Sequence, residues 1–495
     1  MKTYLAVDIG ASSGRHIFGW LEDGKLKLKE IYRFKNGAED QNGHLYWDID
    51  RLESEVIDGI AACETAPESV AVDTWAVDYV LLGKNGERIC PAVAYRDSRT
   101  ETVPDELEKT VPFAWLYGRT GIQMQKFNTV YQLAAQKKEM PDVFEKAEKL
   151  LMIPDYLAYR LTGVHATDVS DASGMLLLDV EHKCWSRDML ALCGISESQM
   201  PRLYESFAPV GTLLPETAAA LGLPQGVTVC AGAGDNAAAA VGTGTVSTGA
   251  AHADSRCNIS LGTSGTIFIS SEKFGVDATN GLHAFAHADG GWHLMGCMLS
   301  AASCNKWWME EILQTKEFAK EQAAITADKL GNNHVYFLPY LMGERSPHND
   351  ANARGTFIGM TMDTTRADMY QAVLEGVAYA IRDSFEVAKS LGIDIKRSKI
   401  CGGGAKSPLW KQIFANVLNI KLDIIESEEG PGYGGAMLAA VACGEYASVE
   451  EAASRLVKIV DTVEPDAEIA ARYEERYHKF TQIYPTVKEL FPKIM

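Results

Sequence analysis

The chain has 495 residues, 46% hydrophobic and 23% charged, the balance of a globular protein with room for two or more cores. A formal charge of −19 argues against nucleic acid or an anionic membrane surface as partner, since both call for basic patches. It leaves a small anionic substrate open, because backbone N–H groups hold phosphate without net charge.

The ten scattered cysteines form no C-x-x-C pair and no cysteine–histidine cluster at zinc spacing, which predicts free thiols in a reducing cytosol. Asp8 interrupts the first apolar run, against a signal peptide, and no run reaches bilayer length. A cytoplasmic location is the expectation. "TYLAVDIG", "RHIFGWLE" and "LKLKEIYRF" predict three short strands, an antiparallel meander joined by a glycine turn and an Asp-Gly turn. In "AVDIGASSGR" a strand runs into Asp8, and two glycines enclose small hydroxylated residues ahead of Arg15. That pattern fits a tight hairpin, or the backbone clamp of a polyanion with its metal. "DIDRLESEVIDGIAAC" carries Asp48 or Asp50 as cap and Leu52, Val56, Ile57 and Ile60 at helical spacing, and "SVAVDTW" returns as a buried strand. Three strands, a helix and a strand are not the βαβ dinucleotide unit, and no G-x-G-x-x-G opens a helix within one, against a nicotinamide dehydrogenase.

"VTVCAGAGDNAAAAVGTG" delivers Asp235 from a strand, between small residues, to the start of an alanine helix. Two roles fit: a helix cap, or a base that takes the proton of a hydroxyl attacking phosphorus. "VGTGTVSTGAAHADSR" reads as a domain junction near residue 250. "CNISLGTSGTIFISSE" then repeats strand, glycine turn and strand, placing Gly262 about half a chain after Gly10. The two predict a duplicated phosphate clamp, one copy per domain. "SKICGGGAKSPLWKQIFANVL" sets three glycines between a strand and a helix opened by Ser407 and Pro408, where naked backbone admits a flat or phosphorylated ligand. "GPGYGGAMLAAVA" also opens a helix with glycines, here predicted to serve tight helix packing, and the end of the chain reads as charged and helical.

Assembled, the two glycine hairpins, the mid-chain Gly-Asp and the late Gly-Gly-Gly make the chain resemble the FGGY carbohydrate kinases over nearly its whole length. The resemblance is most specific at "GTFIGMTMDTTRADMYQAVLE", which matches the family's C-terminal signature. There Met369, Val373, Val377 and Ile381 predict a core helix. The family's other signature, expected at "KFNTVYQLAAQKKEM", is poorly matched. The first half is similar to the rhamnulokinases ("GHLYWDID", "DTWAVDYVLL", "YRDSRT"), and the part from "SDASGMLLLDV" onward to the xylulokinases ("GAGDNAAAAVG", "LGTSG", "FLPYLMGERSPHN"). Rhamnulokinases typically have His-Asp where this chain has Gly234-Asp235. Xylulokinases typically have Met-His-Gly where it has Trp75-Ala76-Val77.

The resemblance implies an α/β fold of two actin-like ATPase (ribonuclease H-like) domains around a central cleft. Residues 1–250 would be mainly sugar-binding and residues 251–495 mainly nucleotide-binding. ATP would be the phosphate donor and Mg²⁺ the cofactor, organised by Asp8. Gly10, Ser12, Ser13 and Arg15 would face the β- and γ-phosphates, Gly262 and Thr263 would complete the clamp, and Gly403 and Gly404 would lie against the α-phosphate and ribose. Asp235 would be the general base, with Trp75, Asp78, Arg96 and Asn236 on sugar hydroxyls. The residues themselves leave other uses open: Trp75 as core, Asp78 in a turn, Arg96 paired with Asp97. L-Rhamnulose or a related ketose is the expected acceptor, because the first half supplies most sugar contacts in the family. D-Xylulose is the alternative, as is a non-catalytic sugar-binding regulator on the same fold. Repressors of that kind usually carry a DNA-binding module before the first strand, whereas here a strand begins at residue 3. Sugar and ATP are the expected partners, without nucleic acid or membrane, and a homodimer is left open.

Overall fold

The computed structural model describes residues 2–247, 256–279, 281–426 and 430–494. The expected meander forms as β1 (Thr3–Ile9), β2 (Ser13–Glu22) and β3 (Lys25–Lys35), antiparallel throughout. Helix α1 (Ile49–Ala61) follows; its cap is Asp48, whose side chain accepts the Arg51 N–H at 3.0 Å. β4 (Ser69–Thr74) then lies parallel to β1, buried at every residue. β5 (Pro209–Thr212), β6 (Thr228–Cys230) and β7 (Ala233–Gly234) complete the sheet in the order β5-β6-β4-β1-β2-β3, with β7 also paired to β4. β7 runs straight into helix α2 (Asp235–Gly242).

The proposed junction lies partly in 248–255, outside the described residues. Beyond it come β8 (Cys257–Leu261), β9 (Gly265–Ser271), β10 (His283–Ala286) and β11 (Trp292–Met298). Helix α3 (Arg366–Ser390) is capped by Thr365, whose hydroxyl accepts the Asp368 N–H at 3.2 Å while the Asp368 carboxylate accepts the Thr365 N–H at 2.9 Å. Val373, Val377 and Ile381 are buried along it, as the spacing predicts. β12 (Arg397–Cys401), α4 (Pro408–Leu418) and β13 (Lys421–Ile425) follow, then α5 (Pro431–Ala442) and β14 (Ile459–Val463). β14 is a departure from the expected all-helical end. It closes the second sheet, whose order is β10-β11-β9-β8-β12-β13-β14.

The two sheets share one topology. β3-β2-β1-β4-β6 in the first matches β11-β9-β8-β12-β13 in the second: three antiparallel strands, then two parallel to the middle of the sheet. Both central strands are covered by protein: β4 is buried at every residue and β8 at all but Ser260. The halves are also interlocked. α5 lies between β13 and β14 of the second sheet in sequence but packs on α2, β1 and β4 of the first. A Cβ on Gly434 would stand 1.8 Å from the Ala238 carbonyl oxygen, so the two helix backbones touch, as the glycines of "GPGYGG" predicted.

Candidate active site

The two glycine hairpins sit at matching ends of the two sheets. In the first, Ile9 pairs with Gly14; in the second, Leu261 pairs with Gly265, so the first loop is one residue longer. Each loop is braced from outside. The Asn36 side chain donates to the Gly10 carbonyl at 2.8 Å and its N–H to the Ser12 carbonyl at 3.0 Å. The N–H groups of Ala301 and Ala302 donate to the carbonyls of Thr263 and Gly262 at 3.0 and 2.9 Å. With their carbonyls turned into the protein, loops of small residues keep N–H groups for an anion.

The hairpins differ in charge. Asp8 pairs across the ladder with Arg15, and their side chains form an ion pair at 2.9 Å; the matching positions in the second sheet are Ser260 and Thr266. On its other side Asp8 lies in register with Asp73, where the second sheet has Ser260 beside Cys401. Ala6-Val7-Asp8 thus lies against Ala71-Val72-Asp73, two copies of one tripeptide in parallel register. Asp73 is buried with both carboxylate oxygens unpartnered. Burial pushes its carboxyl well above the usual range, and the charges of Asp8 and Asp235 push the same way. Sequence reasoning missed Asp73; its signal was the second "AVD" closing an apolar strand.

Asp235 is the first residue of α2, and the cap position belongs to Gly234, with no side-chain cap bond. The capping role is therefore not the one it plays. Its side chain is exposed to solvent, with protein crowded around it. The crowding raises its carboxyl to about 6; the Asn236 N–H opposes the rise and the Asp8 charge adds to it. Asp171 lies behind it, buried, both oxygens unpartnered, its carboxyl also raised by burial and by the charges of Asp155, Asp168 and Asp235. Nothing in the spacing of "SDASG" marked it.

The four sugar candidates divide. Asn236 is half-buried, its amide nitrogen 3.8 Å from the Met295 sulfur of the second half. Arg96 is exposed, its guanidinium 5.3 Å over the Tyr95 ring. The Asp97 carboxylate instead accepts the N–H groups of Leu45 and Arg99 at 2.7 and 2.9 Å and faces His44 at 3.2 Å. Trp75 and Asp78 are buried together. Asp78 accepts from the indoles of Trp47 and Trp75 at 2.6 and 2.9 Å, from the Gln132 amide at 2.9 Å and from the Tyr95 N–H at 3.1 Å. The Trp47 and Trp75 rings lie 4.1 Å apart, tilted by 38°. Asp78 is therefore a fastening point rather than a surface group, because its lone pairs are already met from within. Between them Val77 holds a φ of 72°, rare for a β-branched residue, with its carbonyl accepting from Thr129 and Gln132 at 2.8 and 3.1 Å.

On the second half, Gly262, Thr263, Gly403 and Gly404 line a cavity of about 910 Å³ that extends past Phe318 and Pro408. Gly402 has a φ of 90°, and its Cβ would meet the Leu261 backbone at 2.8 Å, which brings the 402–404 turn against the second hairpin. Ser407 caps α4, its hydroxyl accepting the Trp410 N–H at 3.1 Å. Two matching glycine loops, a solvent-reachable carboxylate and a cavity beyond one loop are parts that a phosphotransferase uses.

Residues 3–242 match the model of the FGGY family of carbohydrate kinases, N-terminal domain, and residues 257–443 that of its C-terminal domain. The chain belongs to the FGGY family of carbohydrate kinases. As an FGGY kinase it is an ATP-dependent enzyme acting on a sugar. It is 39% identical over 396 residues to xylulose kinase of Escherichia coli, covering 80% of each chain, and 30% identical over 499 residues to xylulose kinase of Bacillus subtilis, covering 99% and 98%. To rhamnulokinase of Lactiplantibacillus plantarum it is 30% identical over 462 residues, 91% of each. The crystal structure of a "xyloylose kinase" from Brucella ovis superposes with a TM-score of 0.87 at 29% identity, over 99% of this FGGY chain and 100% of that one. The expected pair of actin-like, ribonuclease H-like domains is therefore the fold of this FGGY kinase. Among its described residues no helix is long and apolar enough to cross a membrane.

Proposed function

We propose that this kinase transfers the γ-phosphate of ATP to a hydroxyl of D-xylulose, with Asp235 as the base that accepts the hydroxyl proton. The observation that carries the chemistry is Asp235 itself, a carboxylate that is crowded by protein, solvent-reachable and uncommitted to a cap. The choice of sugar is supported by the relatives named xylulose kinase, one at 39% identity, against 30% for the rhamnulokinase. L-Rhamnulose, expected from the first half of the sequence, ranks second; the Trp75-Ala76-Val77 turn and its Asp78 anchor are what favour it. Comparing kcat/KM for the two ketoses decides: a preference of at least about tenfold for D-xylulose is expected, since mis-set hydroxyls leave polar groups of the site unpaired. The reverse preference would return the choice to L-rhamnulose.

In this reading the phosphates of ATP lie between the two hairpins, taking N–H groups from Ser12 and Ser13 on one side and from Gly262 and Thr263 on the other, while Gly10, whose N–H donates to the Ser13 carbonyl at 2.9 Å, leaves room for them at the turn. Arg15 stands by the γ-phosphate, Gly403 and Gly404 lie along the α-phosphate and ribose, and the base enters the cavity of the second half. Asn236 and Arg96 hold sugar hydroxyls, and Trp75 with Asp78 frames the pocket from behind. The first half thus serves mainly the sugar and the second mainly the nucleotide.

The residues fit a divalent cation. Asp73 presents two orphaned oxygens beside Asp8, a repulsion that a cation relieves. Among the described residues no cluster of three or more His, Cys, Asp or Glu encloses a metal. That suits Mg²⁺, which keeps several waters and takes one or two carboxylates plus substrate phosphates. Asp8, backed by Asp73, would hold it, and when bound it neutralises charge on the phosphoryl group in transfer. Asp8→Asn is expected to weaken activation by Mg²⁺ about ten- to a hundredfold, read as the shift in the Mg²⁺ concentration for half-maximal rate. An unshifted titration would remove Asp8 from that role.

Asp235 works as a base only when ionised, and its carboxyl is raised to about 6. Below that pH the protonated form dominates, so kcat/KM should fall about tenfold per pH unit below about 6 and level off above it. The same profile in Asp235→Asn should lack this limb. A wild-type profile flat to pH 5 would assign the proton elsewhere.

A further inference from the structure

We infer that the base of the nucleotide is recognised by shape rather than by its hydrogen-bonding edge, so that this kinase accepts purine nucleoside triphosphates with little discrimination among them; this rests on the kinase reading above. The wall of the cavity that lies beyond the second hairpin carries five uncharged polar side chains, Thr263, Ser303, Asn305, Gln322 and Ser407. The Ser303 hydroxyl donates to the Thr263 carbonyl oxygen at 2.8 Å. Asn305, Gln322 and Ser407 are joined in one line of donations. The Trp410 N–H donates to the Ser407 hydroxyl at 3.1 Å, and that hydroxyl donates to the Gln322 carbonyl oxygen at 2.7 Å. The Gln322 amide donates to the Tyr370 hydroxyl at 3.1 Å, which donates to the Asn305 carbonyl oxygen at 2.8 Å.

This chain ties α3 and α4 to the segments bearing Asn305 and Gln322, so its members are held in place for one another. A base edge that donated to one of its acceptors would strand the donor already there, and the amide N–H groups left over on Asn305 and Gln322 meet ring acceptors such as N3 and N7, which all purines share. Ala302, Phe318, Ala319 and Pro408 add apolar wall beyond the glycines; proline has no N–H to offer. Phe318 supplies a ring on which any purine stacks. The charged residues on the cavity are Lys306, Glu310 and Lys406, with the Lys306 ammonium 3.9 Å from the Glu310 carboxylate. A carboxylate suits a 6-amino group and an ammonium a 6-oxo group, so this pair does not choose between adenine and hypoxanthine.

A site that hydrogen-bonds its ligand rejects an analogue lacking the partner by about 10⁴-fold or more, whereas a mainly apolar pocket discriminates by about a hundredfold at most. Calorimetric titration of the whole enzyme with ADP, IDP and GDP in the presence of Mg²⁺ tests the inference. Dissociation constants within about a hundredfold of one another are expected. IDP or GDP weaker than ADP by more than that would overturn it. Binding by none of the three would overturn the kinase reading and this inference with it, so the two failures are distinct. Gln322→Met keeps the volume and removes both amide groups; the ADP-to-IDP ratio should stay within about threefold of the wild type. A larger change in that ratio would show that Gln322 reads the base.

Discussion

Asp235→Asn should lower turnover by at least about a hundredfold while the protein stays folded and sugar binding is largely retained. The amide nearly preserves the shape and still hydrogen-bonds a hydroxyl, but it takes no proton near neutral pH. Removing a positioned base typically costs roughly 10²–10⁴ in rate. The low end is expected here, because positioning and charge neutralisation supply most of the acceleration of a loose phosphoryl transfer. Stability should hardly move, since Gly234 rather than Asp235 occupies the cap position and α2 keeps its first turn either way. Sugar affinity from calorimetry and kcat from a coupled assay separate the two effects. Near-normal kcat would refute the base assignment.

Gly434→Ala should be among the most damaging single-methyl changes in the molecule. The new Cβ would lie 1.8 Å from the Ala238 carbonyl oxygen, 2.7 Å from its carbon and 3.0 Å from the Gly242 nitrogen. All three are backbone atoms, so no side chain can rotate away and the two helices must part. Overpacking a close interface costs roughly 1–3 kcal/mol and more when backbone has to move, so a loss of about 3 kcal/mol is expected. That corresponds to a melting temperature lower by about 3 to 6 °C. Because α2 begins at Asp235, kcat should fall as well. Gly118→Ala is the control: that helical glycine has open space around its missing Cβ, and the change should be neutral or stabilising by up to about 1 kcal/mol. Equal melting of the two variants would mean that α2 and α5 do not meet backbone to backbone.

Much of this was legible from local pattern. The meander, the buried strand of β4, the Ser407–Pro408 helix start and the core face of α3 all follow from alternation, capping chemistry and helical spacing, which act over a few residues. The likeness of "IGASSGR" to "LGTSGT" foretold two matching hairpins, and the shared strand order bears it out. Family membership was legible too, from motifs spread over the chain. The choice of sugar was not. It depends on which hydroxyl meets which group, and those groups come from segments far apart in sequence. Asp78 shows why: its residue type suits sugar binding, but four donors converge on it from Trp47, Trp75, Tyr95 and Gln132 and use it up.

The sequence by itself determined the local elements, the paired glycine loops, the family and the carboxylate that stands before an alanine helix. Only the tertiary structure decided what each carboxylate faces. Asp73 became part of the site because β4 lies parallel to β1 in a register that sets Asp73 beside Asp8. Asp235 is freed from capping because Gly234 takes that position where β7 runs into the helix. The alternation of a strand says which side chains are buried, but register and helix docking are set by contacts hundreds of residues apart. Those contacts crowd protein around Asp235, with the charge of Asp8 adding to the effect, and so raise its carboxyl into the range where a base works.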